Sequence, residues 1–231
     1  CFKKNKTKPW LKKMWCIGRM TKEYVKRMHD ILDLYQEPYN PKKPVIGFDE
    51  KPKQLLGEKR TPIRLQPGKA EKYDYEYARN GKANIFVAVE PRHGKRITKV
   101  TKRRTKKDFA KFMCELVISY PYAEKIRVVL DNLNTHFEGS FYKTFEKDKA
   151  RRILRKIEFH YTPKHASWLN VAEIEIAAID KECTDRRMND ISFLRKEIQA
   201  CTKMRNDDRC KIDWRFTKED AERKLAKHYV T

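Results

Sequence analysis

Short apolar runs alternate with helical patterns along most of this chain, and the alternation limits the folds that it can adopt. The run VIGFDE, residues 45–50, predicts a first strand that ends on Asp49. Strand patterns at residues 83–91 and 95–104 meet at the turn sequence PRHG, which predicts a hairpin. Helices and strands then alternate, as is typical of an α/β sheet with helices on its faces. We therefore expect a mixed five-stranded sheet, flanked by helices, whose first three strands are antiparallel.

The rest of the chain supplies the predicted helices and the last two strands. Phe109, Phe112, Met113 and Leu116 recur at helical spacing and indicate an amphipathic helix. We expect Asn170 to cap the last core helix. The predicted elements are helices at residues 106–120, 141–157 and 166–183 and strands at residues 125–131 and 157–163.

Composition points to a polyanionic partner. The chain has 55 lysines and arginines against 32 acidic residues, a formal net charge of +23. This charge opposes compaction by self-repulsion, so we expect it to serve DNA binding, with a merely well-solvated surface as the alternative. No membrane partner is expected, because no apolar run of about 18 residues occurs. The six cysteines form no CxxC pair, which favours a reducing, cytoplasmic setting over a zinc or redox motif.

Local signals divide the chain near residue 40. Residues 1–40 predict a basic linker followed by a helix that Thr21 opens. Residues 41–231 predict the main domain, and a capping box at residues 217–220 opens its C-terminal helical tail.

A group of hydrogen-bonding side chains follows one of the buried strands. The stretch LDNLNTHFE, residues 130–138, passes from the last apolar residue directly to Asp131, which an Asx turn alone could explain. Asp49, however, follows a strand that we expect to be a neighbour in the sheet, and Glu173 lies in the first turn of the last core helix. Three converging carboxylates make an oxygen-only site suited to Mg²⁺ or Mn²⁺. We therefore predict that Asp49, Asp131 and Glu173 are the catalytic residues and bind two ions, which together promote phosphodiester cleavage.

Five longer motifs follow one another along the chain: VIGFDEKP, YDYEYARNGKANIF, VVLDNLNTH, FHYTPKHASWLNVAEIE and DWRFTKEDAERKL. Together they resemble the DDE transposases of bacterial insertion sequences, specifically the insertion sequence 630 group of the mariner-like superfamily. The resemblance covers nearly the whole chain and implies an RNase H-like fold with the triad at Asp49, Asp131 and Glu173. One departure is Ala166, where relatives usually carry Gly.

The resemblance also implies a function. A cut-and-paste transposase hydrolyses DNA at transposon ends, and the freed 3′-OH then attacks target DNA, here at TA steps, at the same metal centre. We expect a homodimer acting on DNA in the bacterial nucleoid. The resemblance places a helix-turn-helix region upstream of this chain, which begins with Cys rather than Met. The alternatives are another RNase H-like nuclease and an inactive or domesticated DNA-binding relic.

Two neighbouring glutamates compete for the third position of the triad. Glu173 and Glu175 lie about 200° apart on a helical wheel, so both cannot face one site. The apolar arc of the helix surrounds Glu175, which could be aimed at the sheet edge. The motif LNxxE favours Glu173, and we adopt Glu173.

Several other polar residues are candidates for contact with DNA. Those near the predicted metal site could bind phosphate directly, although Asn134 and His136 are equally explained as turn residues. The basic run around residues 99–107 is expected to contact the DNA backbone, with a solvated face as the alternative. The predicted DNA-binding residues are Lys51, Lys53, Lys102, Arg103, Arg104, Asn134, His136 and Lys164.

Overall fold

The computed structural model describes residues 19–230 and contains a mixed five-stranded sheet with strand order β3-β2-β1-β4-β5. β1, β2 and β3 are antiparallel, whereas β4 and β5 run parallel to β1. The predicted α/β class and mixed sheet are confirmed. The strands are β1 Val45–Glu58, β2 Tyr77–Glu90, β3 Lys95–Thr101, β4 Ile126–Leu130 and β5 Ile157–Tyr161. The α-helices are α1 Lys22–Gln36, α2 Lys106–Ile118, α3 Gly139–Tyr142, α4 Lys147–Lys156, α5 Ala172–Ile179, α6 Ile191–Asp207 and α7 Lys218–Leu225.

Helices cover both faces of the sheet. Successive side chains of each strand point to opposite faces, so apolar side chains on both faces are buried under helices. On one face, Phe48 and Phe86 pack with the buried side chains of α2, α3 and α4. On the other face, Val129 of β4 packs with α1 and the start of α5, while Val87 of β2 packs with α5 and α6. Successive residues of a strand point to opposite faces, so Asp49 lies on the α5 face of the sheet and Glu50 on the α2 face.

The first strand is longer than predicted. We expected β1 to end at Asp49, but it continues to Glu58 because its later residues pair with the full length of β2. Its parallel pairing with β4 does stop early, with Gly47 opposite Val129 as the last pair. Asp49 therefore lies where β1 leaves β4, although β1 itself does not end there.

Two helix predictions need correction, and one helix was not predicted. The basic helix predicted at residues 141–157 is two helices, α3 and α4, separated by four residues between Tyr142 and Lys147. The helix predicted at residues 166–183 is a 3-10 turn, then α5, then a π-helical turn at Asp180–Thr184. The sequence reading missed α6 altogether.

The ends of the described chain pack on the same core as the sheet. Thr21 caps α1 through the N–H of Tyr24, and the predicted capping box at Thr217 and Asp220 opens α7, so both helix starts are confirmed. α1 and α7 share an apolar cluster with β4. The division at residue 40 stays a prediction, and residues 1–18 of the predicted linker lie outside the described residues. Among the helices of residues 19–230, none combines the length and apolar character of a membrane span.

Gly47 lets the start of α5 lie directly on β1. A Cβ atom at this position would lie 2.4 Å from Val171 Cγ1 and 2.9 Å from the backbone nitrogen of Ala172, distances at which atoms overlap. The absence of a side chain at Gly47 thus sets the distance between β1, which carries Asp49, and the helix that carries Glu173.

We expect Gly47→Ala to destabilise the protein by about 1–3 kcal/mol, because α5 has to shift to accommodate the methyl group. Gly57→Ala on the same strand is the matched control, since its Cβ would meet the flexible end of Asn80. Thermal unfolding of the two variants checks the prediction. Equal melting temperatures for both variants would show that the close approach at Gly47 is not a constraint.

Candidate active site

Asp49 and Asp131 lie at equivalent places on neighbouring parallel strands. Gly47 of β1 is opposite Val129 of β4, and each aspartate follows two residues later. Asp49 Oδ1 accepts a hydrogen bond of 2.7 Å from the backbone N–H of Glu50, and its Oδ2 lies 3.3 Å from Asn170 Nδ2. The predicted convergence of Asp49 and Asp131 at one edge of the parallel pairing agrees with this geometry.

Asn170 joins the start of α5 to β1. We predicted Asn170 as the helix cap, but the cap position is Val171, and the Asn170 Oδ1 accepts from the N–H of Ala172 at 3.1 Å. Its Nδ2 donates to the carbonyl oxygen of Phe48 at 2.8 Å, next to Asp49. These bonds bring the first turn of α5, with the exposed Glu173, to Asp49.

Glu173 and Asp131 lie close enough to Asp49 to affect its ionisation. Burial and the neighbouring carboxylates of Glu173 and Asp131 raise the pKa of Asp49 from 3.8 to about 7, despite the hydrogen bond from the Glu50 N–H. Like charges gathered in this way favour a bound divalent cation.

Glu175 points away from these residues into the protein core. Its side chain is fully buried, and its two oxygens accept hydrogen bonds of 2.7 and 3.0 Å from the Arg96 guanidinium. Arg205 of α6 donates to the same two oxygens at 2.8 and 3.2 Å. Because both oxygens of Glu175 are occupied, Glu173 is the residue of this pair that is free to face the two aspartates.

His136 is buried between two carboxylates. Its Nδ1 lies 2.6 Å from Asp131 Oδ1 and its Nε2 lies 2.9 Å from Glu50 Oε1. Burial alone would lower the pKa of His136, but these two carboxylates outweigh it and raise the pKa to about 9. Burial would likewise raise the pKa of Asp131, yet the His136 hydrogen bond and charge hold it below its ordinary value.

The position of His136 corrects our prediction that it contacts DNA. The residue is 1% exposed and both ring nitrogens are engaged, so a phosphate cannot reach it in this conformation. Sequence reading missed its partner Glu50, although the neighbour of Asp49 in a strand must point to the opposite face and into the core.

The other predicted DNA-binding residues lie on β1 and in loops. Lys51 Nζ lies 2.6 Å from Asp180 Oδ2, and Lys53 donates to the carbonyl oxygen of Thr184, so both lysines are tied to the π-helical turn after α5. Asn134 and the three basic residues of the β3–α2 loop are exposed. These loop residues are Lys102, Arg103 and Arg104.

A cleft opens beside Asp131. It has a volume of about 740 Å³ and lies between α1, the loop after β4 and the loop after β5. Arg19, Arg27 and Lys164 line it, which places three cationic side chains next to one of the predicted metal ligands.

The donor set fits a hard divalent cation. Asp49, Asp131 and Glu173 offer only carboxylate oxygens, which are the ligands that Mg²⁺ and Mn²⁺ prefer. Within residues 19–230, however, no three His, Cys, Asp or Glu side chains are gathered closely enough to hold an ion. Ion binding by these three residues therefore requires their side chains to rearrange.

Comparison with known proteins identifies the family of the chain. Residues 44–195, which include both aspartates and Glu173, match the family described as DDE superfamily endonuclease. The chain belongs to the DDE superfamily endonucleases. No curated protein matches this endonuclease in sequence.

Solved structures of similar fold are complexes of the Mos1 transposase. The chain resembles the Mos1 mariner paired end complex with Mn at a TM-score of 0.57 and 15% identity, over 94% of this chain and 68% of that one. It resembles a pre-cleavage Mos1 transpososome at 0.58 and 14% identity, over 94% and 67% of the two chains. The chain thus spans about two thirds of the length of these proteins. At this identity the likeness shows the fold alone, and the predicted RNase H-like fold is confirmed.

The two glutamates of α5 are expected to respond differently to substitution in this endonuclease. Glu175→Gln leaves the Arg96 and Arg205 charges without their buried partner, so we expect it to lower the free energy of unfolding by about 3–5 kcal/mol. Glu173→Gln changes an exposed side chain and removes a charge that repels Asp49, so it should not lower the melting temperature. Thermal unfolding compares the two variants, and equal stability would contradict the structural role given to Glu175.

The raised pKa of Asp49 makes stability depend on pH. A carboxyl whose pKa rises on folding destabilises the folded state once ionised, and this cost grows between about pH 4 and pH 7. We expect Asp49→Asn to stabilise the metal-free protein at pH 8, by roughly 2–4 kcal/mol, and less at pH 5. Unfolding in the presence of a chelator measures this, with Asp148→Asn on the exposed face of α4 as control. A gain of equal size at both pH values would exclude the titration of Asp49 as its cause.

Proposed function

We propose that this chain is the catalytic part of a DNA transposase of the insertion sequence 630 group. It hydrolyses phosphodiesters at transposon ends and transfers the freed 3′-OH into target DNA. The observation that carries the proposal is the family match, which spans Asp49, Asp131 and Glu173, together with the repulsion that Glu173 and Asp131 exert on Asp49.

Asp49, Asp131 and Glu173 would hold two Mg²⁺ or Mn²⁺ ions. The ions would supply activation of the attacking oxygen and charge stabilisation of the leaving oxygen. Two Mos1 paired end complexes are complexes with Mn and with Mg, which supports a divalent cation for this chain as well.

The residues of the chain prepare this site in distinct ways. Asp131 would bind as a carboxylate, because its contact with His136 keeps its pKa low. Asp49 would give up its proton on binding, because burial and the neighbouring carboxylates raise its pKa to about 7 and a cation would reverse this effect. Asn170 would hold Asp49 beside the first turn of α5.

Basic side chains would guide DNA to the carboxylates from two sides. The exposed loop residues Lys102, Arg103 and Arg104 and the cleft residue Lys164 are suited to phosphate contacts, which position DNA without reading its sequence. Lys51 and Lys53 would contribute once DNA competes for them with the turn after α5. We infer further that a homodimer acts on paired ends, as the paired end complexes of Mos1 suggest, and that insertion occurs at TA steps.

Cleavage of DNA by the protein tests the proposal. The substrate is a linear duplex carrying the sequences that flank the coding region, incubated with the full-length protein and Mg²⁺ or Mn²⁺. We expect nicks at the element ends, and a loss of at least about a hundredfold in rate for Asp131→Asn, because metal ions contribute several kcal/mol to such reactions. Asp148→Asn, an exposed carboxylate of α4, should cleave like wild type.

The outcome separates the proposal from its alternatives. Equal cleavage of end DNA and of RNA–DNA hybrids or junctions, still dependent on Asp131, would indicate another RNase H-like nuclease. No cleavage by wild type at any metal concentration would indicate a DNA-binding relic. Unchanged cleavage by Asp131→Asn would remove the assignment of the metal site.

A further inference from the structure

A chain of three side chains links the two aspartate-bearing segments through the core. Glu50 of β1 lies 2.9 Å from His136 Nε2, and His136 Nδ1 lies 2.6 Å from Asp131 Oδ1. The Glu50 side chain is 3% exposed and that of His136 is 1% exposed, whereas the Asp131 side chain is 44% exposed. The link therefore runs from a buried carboxylate to one that opens to the solvent.

The imidazole of His136 is fixed in orientation. Its ring centroid lies 5.3 Å from that of Phe48 and 4.7 Å from that of Phe109, so aromatic side chains contact it. Its backbone N–H donates to the carbonyl oxygen of Leu133 at 2.9 Å, and its carbonyl oxygen accepts from the hydroxyl of Tyr161 at 2.8 Å. A ring held in this way can direct the carboxylate to which it is bonded.

Strand pairing does not fix the orientation of the Asp131 side chain, so another contact has to do so. Asp131 follows the last residue of β4, where the pairing with β1 has already ended, and its side chain is partly exposed. Asp49, by contrast, lies within β1 and is held by its own pairing with β2.

We propose that Glu50 and His136 are positioning residues for Asp131. Glu50 fixes the far nitrogen of His136, and His136 holds Asp131 Oδ1, which leaves the other oxygen of this carboxylate for the cation. Because Glu50 directly follows Asp49 in β1, the same strand places one ligand and orients another. The inference rests on the proposed function, since it concerns the metal site assigned there.

A purely structural role for Glu50 and His136 predicts a different result. Buried, hydrogen-bonded groups of this kind contribute to stability wherever they lie. A structural role would therefore change the melting temperature on substitution without changing the affinity for a cation. Metal affinity measured on the folded protein separates the two roles.

The test is a calorimetric titration of the protein with Mn²⁺ alone, combined with thermal unfolding of the same samples. The first variant is the double substitution Glu50→Leu with His136→Leu, which removes both buried partners together and so avoids leaving either one unpaired. We expect it to bind Mn²⁺ about 10- to 100-fold more weakly than wild type, as is usual when the groups that orient metal ligands are lost.

Two single variants keep the test valid if the double variant does not fold. The amide of Asn reaches the place of the imidazole Nδ1, and that of Gln reaches the place of Nε2. His136→Asn should therefore retain a donor for Asp131 and most of the Mn²⁺ affinity, whereas His136→Gln should lose about 10- to 100-fold. His160→Gln is the control, because His160 also lies between two carboxylates, those of Asp30 and Glu158, which are outside the triad.

Each result decides one question. Double-variant and His136→Gln proteins that bind Mn²⁺ like wild type would overturn the inference alone, provided that wild type cleaves DNA and Asp131→Asn does not. A greater loss of Mn²⁺ affinity in His136→Asn than in His136→Gln would also overturn the inference. Wild-type protein that neither binds Mn²⁺ nor cleaves DNA would overturn the proposed function and the inference with it.

Discussion

The buried contact between Glu175 and two arginines is the interaction on which the arrangement of this molecule depends. Arg96 comes from β3, Glu175 from α5 and Arg205 from α6, so one carboxylate joins three elements that are far apart in sequence. Arg96 also donates to the carbonyl oxygens of Gly94 and Cys210. Only one orientation of α5 keeps Glu175 paired with both arginines, because any rotation of the helix would leave charges unpaired in the core.

The orientation of α5 determines the direction in which Glu173 points. With Glu175 directed into the core, Glu173 on the opposite side of the helix is exposed near Asp49. Gly47 and Asn170 set the remaining distance, the first by offering no side chain and the second by bonding to β1. Glu173 and Asp131 thus lie near enough to Asp49 to raise its pKa. In the proposed site a bound cation would offset this repulsion.

The sequence predicted those parts of the fold that depend on local signals. The hairpin, the alternation of elements and the position of Asp131 after a buried strand all follow from short patterns. The extent of β1 did not, because pairing with β2 rather than the composition of residues 45–58 determines where the strand ends. The local motif LNxxE favoured Glu173 over Glu175. The buried contact of Glu175 with Arg96 and that of His136 with Glu50 involve partners 79 and 86 residues away in the chain, which no local pattern reveals.

The central claim is that α5, held by Glu175, brings Glu173 to the two aspartates to form a cation site. Anomalous diffraction from crystals of the protein grown with Mn²⁺ tests this most directly, because it locates the ion without reference to activity. We predict anomalous density bounded by carboxylate oxygens of Asp49, Asp131 and Glu173, with Glu175 still bonded to Arg96. Density at another place, or an ion bound by Glu175 instead of Glu173, would contradict the account.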